Sequence, residues 1–122
     1  MSELFQAVVA AGQGDVRADE DGWYGREFVF GNDFPGFAGH FPGSPVLPAM
    51  VQMLAGASLA SRWLDRIPEV RSVSNAKFLA PIAPDVAVTV QARAQGPDAA
   101  VVRVLLGDRL AATFTLGFST SL

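Results

Sequence analysis

The chain has no cysteine and a single histidine, His40, among its 122 residues. The first absence excludes a disulfide framework, thiolate catalysis and cysteine-based metal sites. The second leaves too few ligands for a zinc centre, and no cofactor is expected. Charge is scarce as well. Only 17% of residues are charged, the formal net charge is −3, and Lys and Arg never cluster. Binding of nucleic acid depends on phosphate neutralisation, so a nucleic-acid partner is excluded. The longest apolar stretch, Val46 to Ala60, is shorter than a bilayer-crossing helix and is interrupted by Pro48, Gln52, Gly56 and Ser58, so no membrane span is expected. Glu3 stands where a signal peptide would carry positive charge. A soluble, cytoplasmic protein is the expectation.

What is present is hydrophobic: half of all residues. A chain of this length forms one domain, here residues 1–122, and buries only about two-thirds of the surface its unfolded form exposes. Such apolar richness in a small chain predicts a buried oligomer interface or a lipophilic ligand site.

Residues 3–11 read as a short helix. "RADEDGWYGREFVF" (17–30) reads as strand–turn–strand, turning at Asp21-Gly22, with Phe28, Val29 and Phe30 supplying strand-favouring side chains. Residues 31–45 hold four glycines and three prolines and predict a shaped loop. "LPAMVQMLAGASLASRWLDR" (47–66) is the strongest helix pattern. Pro48 suits its first turn, and Pro68 stops it. The segment is apolar nearly all round, which predicts a buried helix. Its many small residues, among them Ala55, Gly56, Ala57 and Ala60, would let a sheet approach closely. The remainder reads as strands: 70–82, then 86–95, 99–107 and 109–119, with Thr89, Gln91, Arg93 and Gln95 on one face of the second. Gly107-Asp108 is a hairpin signal. The sum is an α+β architecture, one buried helix in an antiparallel sheet of about five or six strands.

"NDFPGFAGHFPGSPVLPAM" (32–50) carries His40 between two copies of Phe-Pro-Gly, at 34–36 and 41–43. A neutral imidazole can take up and return a proton near pH 7. Rigid turns on each side would pre-organise the ring. The helix start at Pro48-Ala49-Met50 offers unpaired backbone N–H groups and a dipole suited to a carbonyl oxygen that gains negative charge. Together they suggest proton abstraction next to a carbonyl. The other reading of the same residues is an ordinary loop histidine in a bend shaped by the turns.

"GHFPGSPVLPAMVQML" (39–54) resembles the signature of the hotdog-fold 3-hydroxyacyl-ACP dehydratases, the FabZ/FabA-like family. That signature is Gly-His-Phe-Pro-Gly, one variable residue, Pro, two apolar residues, then Pro-Gly and the central helix. "AKFLAPIAPD" (76–85) resembles the family's second landmark, a Lys-Phe strand followed by Pro and a Pro-Gly-Asp turn. The order of elements fits as well, so the resemblance spans most of the chain.

The resemblance implies a hotdog fold, with an antiparallel sheet wrapped around one long central helix at about 47–65. It implies a homodimer or higher assembly with sites at the interface, and a substrate that is an acyl thioester on acyl carrier protein or CoA. His40 would be the catalytic base, and the backbone N–H of Ala49 would hold the thioester carbonyl. On the loop side the site would be lined by Phe41, Gly43, Pro45, Val46 and Leu47. On the helix and the later strand it would be lined by Gln52, Met53, Leu54 and Phe78. One departure matters. The family places an acid on the helix fourteen residues after the histidine, and here that residue is Leu54. No Asp or Glu occurs from Ser44 to Leu64. Expelling hydroxide needs a proton donor. Gln52 can position a water or a hydroxyl but cannot replace an acid, and Asp33 reads either as a turn residue or as a group near the imidazole.

Three functions follow. The first is a dehydratase-like lyase on 3-hydroxyacyl or enoyl thioesters, in fatty-acid or related acyl-chain biosynthesis. The second is a hotdog thioesterase, disfavoured because the helix lacks a carboxylate. The third is a non-catalytic acyl-thioester binder, or a partner subunit in a heteromer with an active homologue.

Overall fold

A computed structural model describes residues 2–37 and 45–120. The chain runs α1 (Glu3–Ala10), β1 (Gly12–Ala18), β2 (Trp23–Val29), a 3-10 turn (Pro35–Phe37), α2 (Ala49–Leu64), β3 (Val70–Phe78), β4 (Ala87–Ala94), β5 (Ala99–Leu106) and β6 (Arg109–Phe118). The six strands form one sheet in the order β1-β2-β4-β5-β6-β3, and every neighbouring pair is antiparallel.

Each element has a local cause. Ser2 caps α1, its Oγ accepting from the Phe5 N–H at 3.1 Å. The β1–β2 turn is held by Asp19, whose carboxylate accepts from the N–H groups of Asp21 (2.8 Å) and Trp23 (3.0 Å), while Gly22 takes the positive φ the turn requires. Gly107, at φ 60°, closes the tight β5–β6 hairpin. In β4 the alternation is clean: Val88, Val90 and Ala92 are buried, while Thr89, Gln91 and Arg93 face outward.

The core lies between the inner face of the sheet and α2. Val88, Val90, Val102, Val104, Phe28 and Phe114 meet Val51, Ala55, Leu59 and Ala60 there, all essentially inaccessible to solvent. Burying each of the larger side chains contributes about 1.5–3 kcal/mol relative to exposure. The small residues of α2 act as expected. A Cβ added at Gly56 would stand 2.7 Å from one methyl of Val102 and 2.9 Å from the other. The helix and β5 are therefore as close as a bare backbone permits.

Three boundaries differ from the sequence reading. β1 starts at Gly12 and not at residue 17, because polar, glycine-bearing "GQGD" lacks strand-like side chains yet pairs with β2 through Gly12–Phe28 and Gln13–Glu27. The strand expected over 70–82 ends at Phe78. Beyond it the N–H groups of Leu79 and Ala80 both donate to the Ala111 carbonyl, and Pro81 has no N–H to continue a ladder. The helix begins at Ala49, with Pro48 as its N-cap in extended backbone. It ends before Pro68, at Asp65 in the left-handed conformation.

Replacing Gly56 with valine should lower stability by about 2–3 kcal/mol, the cost of overpacking a filled core, with the midpoint of urea unfolding as the readout.

Candidate functional site

A row of aromatic rings leads into the loop. Phe28 stacks on Phe30 (centroids 5.8 Å apart), Phe30 meets Phe34 edge-on at 4.9 Å, and Phe34 meets Phe37 edge-on at 6.2 Å. The first Phe-Pro-Gly thus forms a 3-10 turn whose flanking phenylalanines are buried in the core. Asp33 lies exposed in the turn closed by the Phe34 N–H on the Gly31 carbonyl (2.9 Å). His40, Phe41 and Gly43 lie outside the described residues.

The chain is anchored again on the other side. Pro45 and Val46 are half-buried, Leu47 is buried, and the Leu47 N–H donates to the Ile82 carbonyl at 2.8 Å. That bond ties the start of α2 to the segment following β3. His40 and the second Phe-Pro-Gly thus fall in the chain between two buried anchors, Phe37 and Leu47.

At the start of α2 the Pro48 carbonyl accepts from the N–H groups of Val51 (3.1 Å) and Gln52 (3.3 Å), and no side chain caps the helix. The N–H groups of Ala49 and Met50 have no partner among the described residues. Both lie at the positive end of a 16-residue helix, where the dipole favours negative charge.

Gln52 is the one buried polar residue of the described chain, 5% exposed. Helical side chains lean toward the N-terminus. Its Nε2 accordingly donates to the Leu47 carbonyl at 3.4 Å, which sets the carboxamide against the first turn. Its Oε1 is buried with no hydrogen-bond partner among the described residues. Met53 and Leu54 are half-buried and pack against the core, while Met50 is exposed. Phe78 is 46% exposed at the end of β3, stacked on Phe114 with centroids 6.1 Å apart. The structure therefore brings Leu47, Ala49 and Gln52 together at the helix start and sets Phe78 on the sheet edge. Asp85, at φ 65°, donates its N–H to the Phe30 carbonyl and shapes its turn.

β3 is an edge strand, exposed along nearly its whole length, with Val73 and Phe78 among its uncovered apolar side chains. On the outer face of the sheet, sequence reasoning groups Gln91 and Arg93 and misses what they surround. There Trp23 is clamped between the guanidinium groups of Arg93 (4.6 Å from the ring centroid) and Arg103 (4.0 Å), and Arg103 also donates to Gln91. A groove of about 660 Å³ beside it is lined by groups of both signs, including Asp15, Arg17, Glu27 and Arg26. The long spacing among residues 15–27, 91–93 and 103 hides that cluster from a linear reading.

Residues 18–108 match the family model described as ApeI-like, ApeI dehydratase. The chain belongs to that family. A curated relative, the 3-hydroxyacyl-[acyl-carrier-protein] dehydratase FabZ of Wolbachia sp. subsp. Drosophila simulans (strain wRi), is 37% identical over 68 residues, 50% of this chain and 48% of its own length. The chain thus matches about half of that relative. Among solved structures, a chain of the dehydratase heterocomplex ApeI:P from Xenorhabdus doucetiae is similar at a TM-score of 0.74 and 19% identity, covering 87% of this chain and 95% of that one. A putative thioesterase, a phenylacetic acid degradation-related protein from Ralstonia eutropha, is similar at 0.63 and 19%, covering 94% and 89%. These likenesses, with the antiparallel sheet and its helix, show the expected α+β hotdog fold of the FabZ/FabA-like dehydratases. No helix among the described residues of this ApeI-like chain is long and apolar enough to cross a membrane.

Gln52→Met keeps the side-chain volume and removes the unpaired acceptor. The gain, offset in part by loss of the long bond to Leu47, should raise stability by about 1 kcal/mol, read as a higher midpoint of thermal unfolding.

Proposed function

We propose that this protein is a dehydratase-like lyase acting on 3-hydroxyacyl or enoyl thioesters of acyl carrier protein or CoA, in fatty-acid or related acyl-chain biosynthesis. The observation that carries the reading is that Gly-His-Phe-Pro-Gly-Ser-Pro (39–45) stands three residues before a helix start with no side-chain cap, whose Ala49 N–H has no partner among the described residues. Membership in a dehydratase family supports it.

In this mechanism His40 removes the proton α to the thioester carbonyl. The electron pair moves onto the carbonyl oxygen, where the Ala49 N–H and the helix dipole stabilise the developing charge. The electrons then return, the double bond forms between the α and β carbons, and the β-hydroxyl leaves with a proton as water. The donor of that proton is the weak point, because Leu54 occupies the place where the family carries its acid. The exposed edge β3 supports a homodimer or higher assembly of this one-domain chain. Carrier-linked chemistry of this kind would run in the cytoplasm. Leu54 favours a second reading, an acyl-thioester-binding subunit that partners an active homologue supplying the acid.

Hydration and dehydration of enoyl and 3-hydroxyacyl thioesters by the purified protein, beside His40→Ala and Leu54→Glu, separate the two. Turnover abolished by His40→Ala establishes the lyase. An inert natural protein that gains activity with Leu54→Glu establishes an inherited site without its acid, and inert proteins throughout sink the lyase.

A narrower test uses the helix start. Proline is well tolerated at the first helical position, and Pro48 is already extended as a residue before proline must be. Ala49→Pro should therefore leave thermal unfolding nearly unchanged while removing the N–H, lowering kcat by about 10²–10³-fold.

A further inference from the structure

Gln52 Oε1 is the feature of the core that the fold itself does not account for. It is an acceptor on a side chain 5% exposed, with no partner among the described residues. Leaving such an atom unpaired is costly. The carboxamide is held by Leu47 against the first turn of α2, where the Ala49 and Met50 N–H groups also lack partners among the described residues. One short stretch of helix thus presents donors without an acceptor and an acceptor without a donor.

We infer that Gln52 Oε1 accepts a hydrogen bond from the 3-hydroxyl of the acyl chain while the Ala49 N–H holds its thioester oxygen. This assignment rests on the proposed acyl-thioester site and deepens it. The chemistry selects the ligand group. The carbonyl carbon and the hydroxyl-bearing carbon of a 3-hydroxyacyl thioester are separated by one carbon. Its acceptor and its donor therefore fall within the span of a single helical turn. In the acyl portion only the 3-hydroxyl can donate; enoyl and saturated chains cannot. Gln52 is thus a positioning residue that reads the oxidation level at the β-carbon. A site built to bond a hydroxyl discriminates against analogues that lack it, because its own polar group is then left unpaired. A neutral amide cannot protonate the leaving oxygen, so this role does not supply the missing acid.

The test measures binding without turnover. Amide analogues of 3-hydroxyacyl- and saturated acyl-pantetheine, matched over a series of chain lengths, are titrated by calorimetry into the natural protein and into Gln52→Met. The amide makes the α C–H too weakly acidic to eliminate. The expected result is about a tenfold preference for the hydroxylated analogue, lost in Gln52→Met while affinity for the saturated analogue holds. NMR of the natural protein keeps the test independent of how the variant folds. The Gln52 side-chain amide resonances should shift with the hydroxylated analogue and stay in place with the saturated one.

Equal affinity for the two analogues overturns the assignment and gives Oε1 to a water or a protein donor. A preference that persists in Gln52→Met, or Gln52 resonances blind to the hydroxyl, also overturns it. Binding of neither analogue overturns the acyl-thioester site itself.

Discussion

The close approach of α2 to β5 is the constraint on which the rest depends. With no side chain at Gly56, the helix settles onto the methyl groups of Val102, and the alanines on either side of it fill the remaining space. That contact fixes the height of the helix above the sheet. It also fixes the position of its first turn, because Leu47 is bonded to the segment that follows β3. The first-turn N–H groups and the Gln52 carboxamide are therefore tied to the core through Leu47. In the proposed reaction such placement would let the Ala49 N–H meet the charge developing on the thioester oxygen without reorganisation.

Much of this was legible in the sequence. The small-residue helix, the alternation in β4 and the glycine hairpin at 107–108 each follow from local chemistry, and each formed within a residue or two of its expected bounds. The signature around His40 and the Lys-Phe landmark pointed to the hotdog fold that the comparisons show. What escaped has physical reasons as well. β1 is built of glycine and polar residues, and it is a strand because β2 offers it a ladder, not because its own side chains prefer one. Pro48 looks the same in sequence whether it caps a helix or opens one, and only the extended backbone at 48 distinguishes the two.

Gln52 shows the limit most clearly. A glutamine in an apolar helix reads either as a satisfied core amide or as a functional group, and composition does not separate them. In the structure its nitrogen is bonded, and its oxygen has no partner among the described residues. Leu54 is half-buried on α2, an apolar side chain packed against the core. The clamped Trp23 was invisible beforehand because its two arginines come from β4 and β5 and meet only across the outer face.

The sheet has two free edges, and neither is a straight ladder. β1 changes register between Gln13 and Arg17 beside Gly14 at positive φ, and β3 changes register twice, with Asn75 in the left-handed conformation between Ser74 and Lys77. Bulges twist an edge and leave gaps in its row of hydrogen-bonding groups. A chain so exposed and so apolar would otherwise invite strand-by-strand growth without end. Breaks of this kind at both rims disfavour open-ended strand addition and leave only short stretches of each edge free to pair.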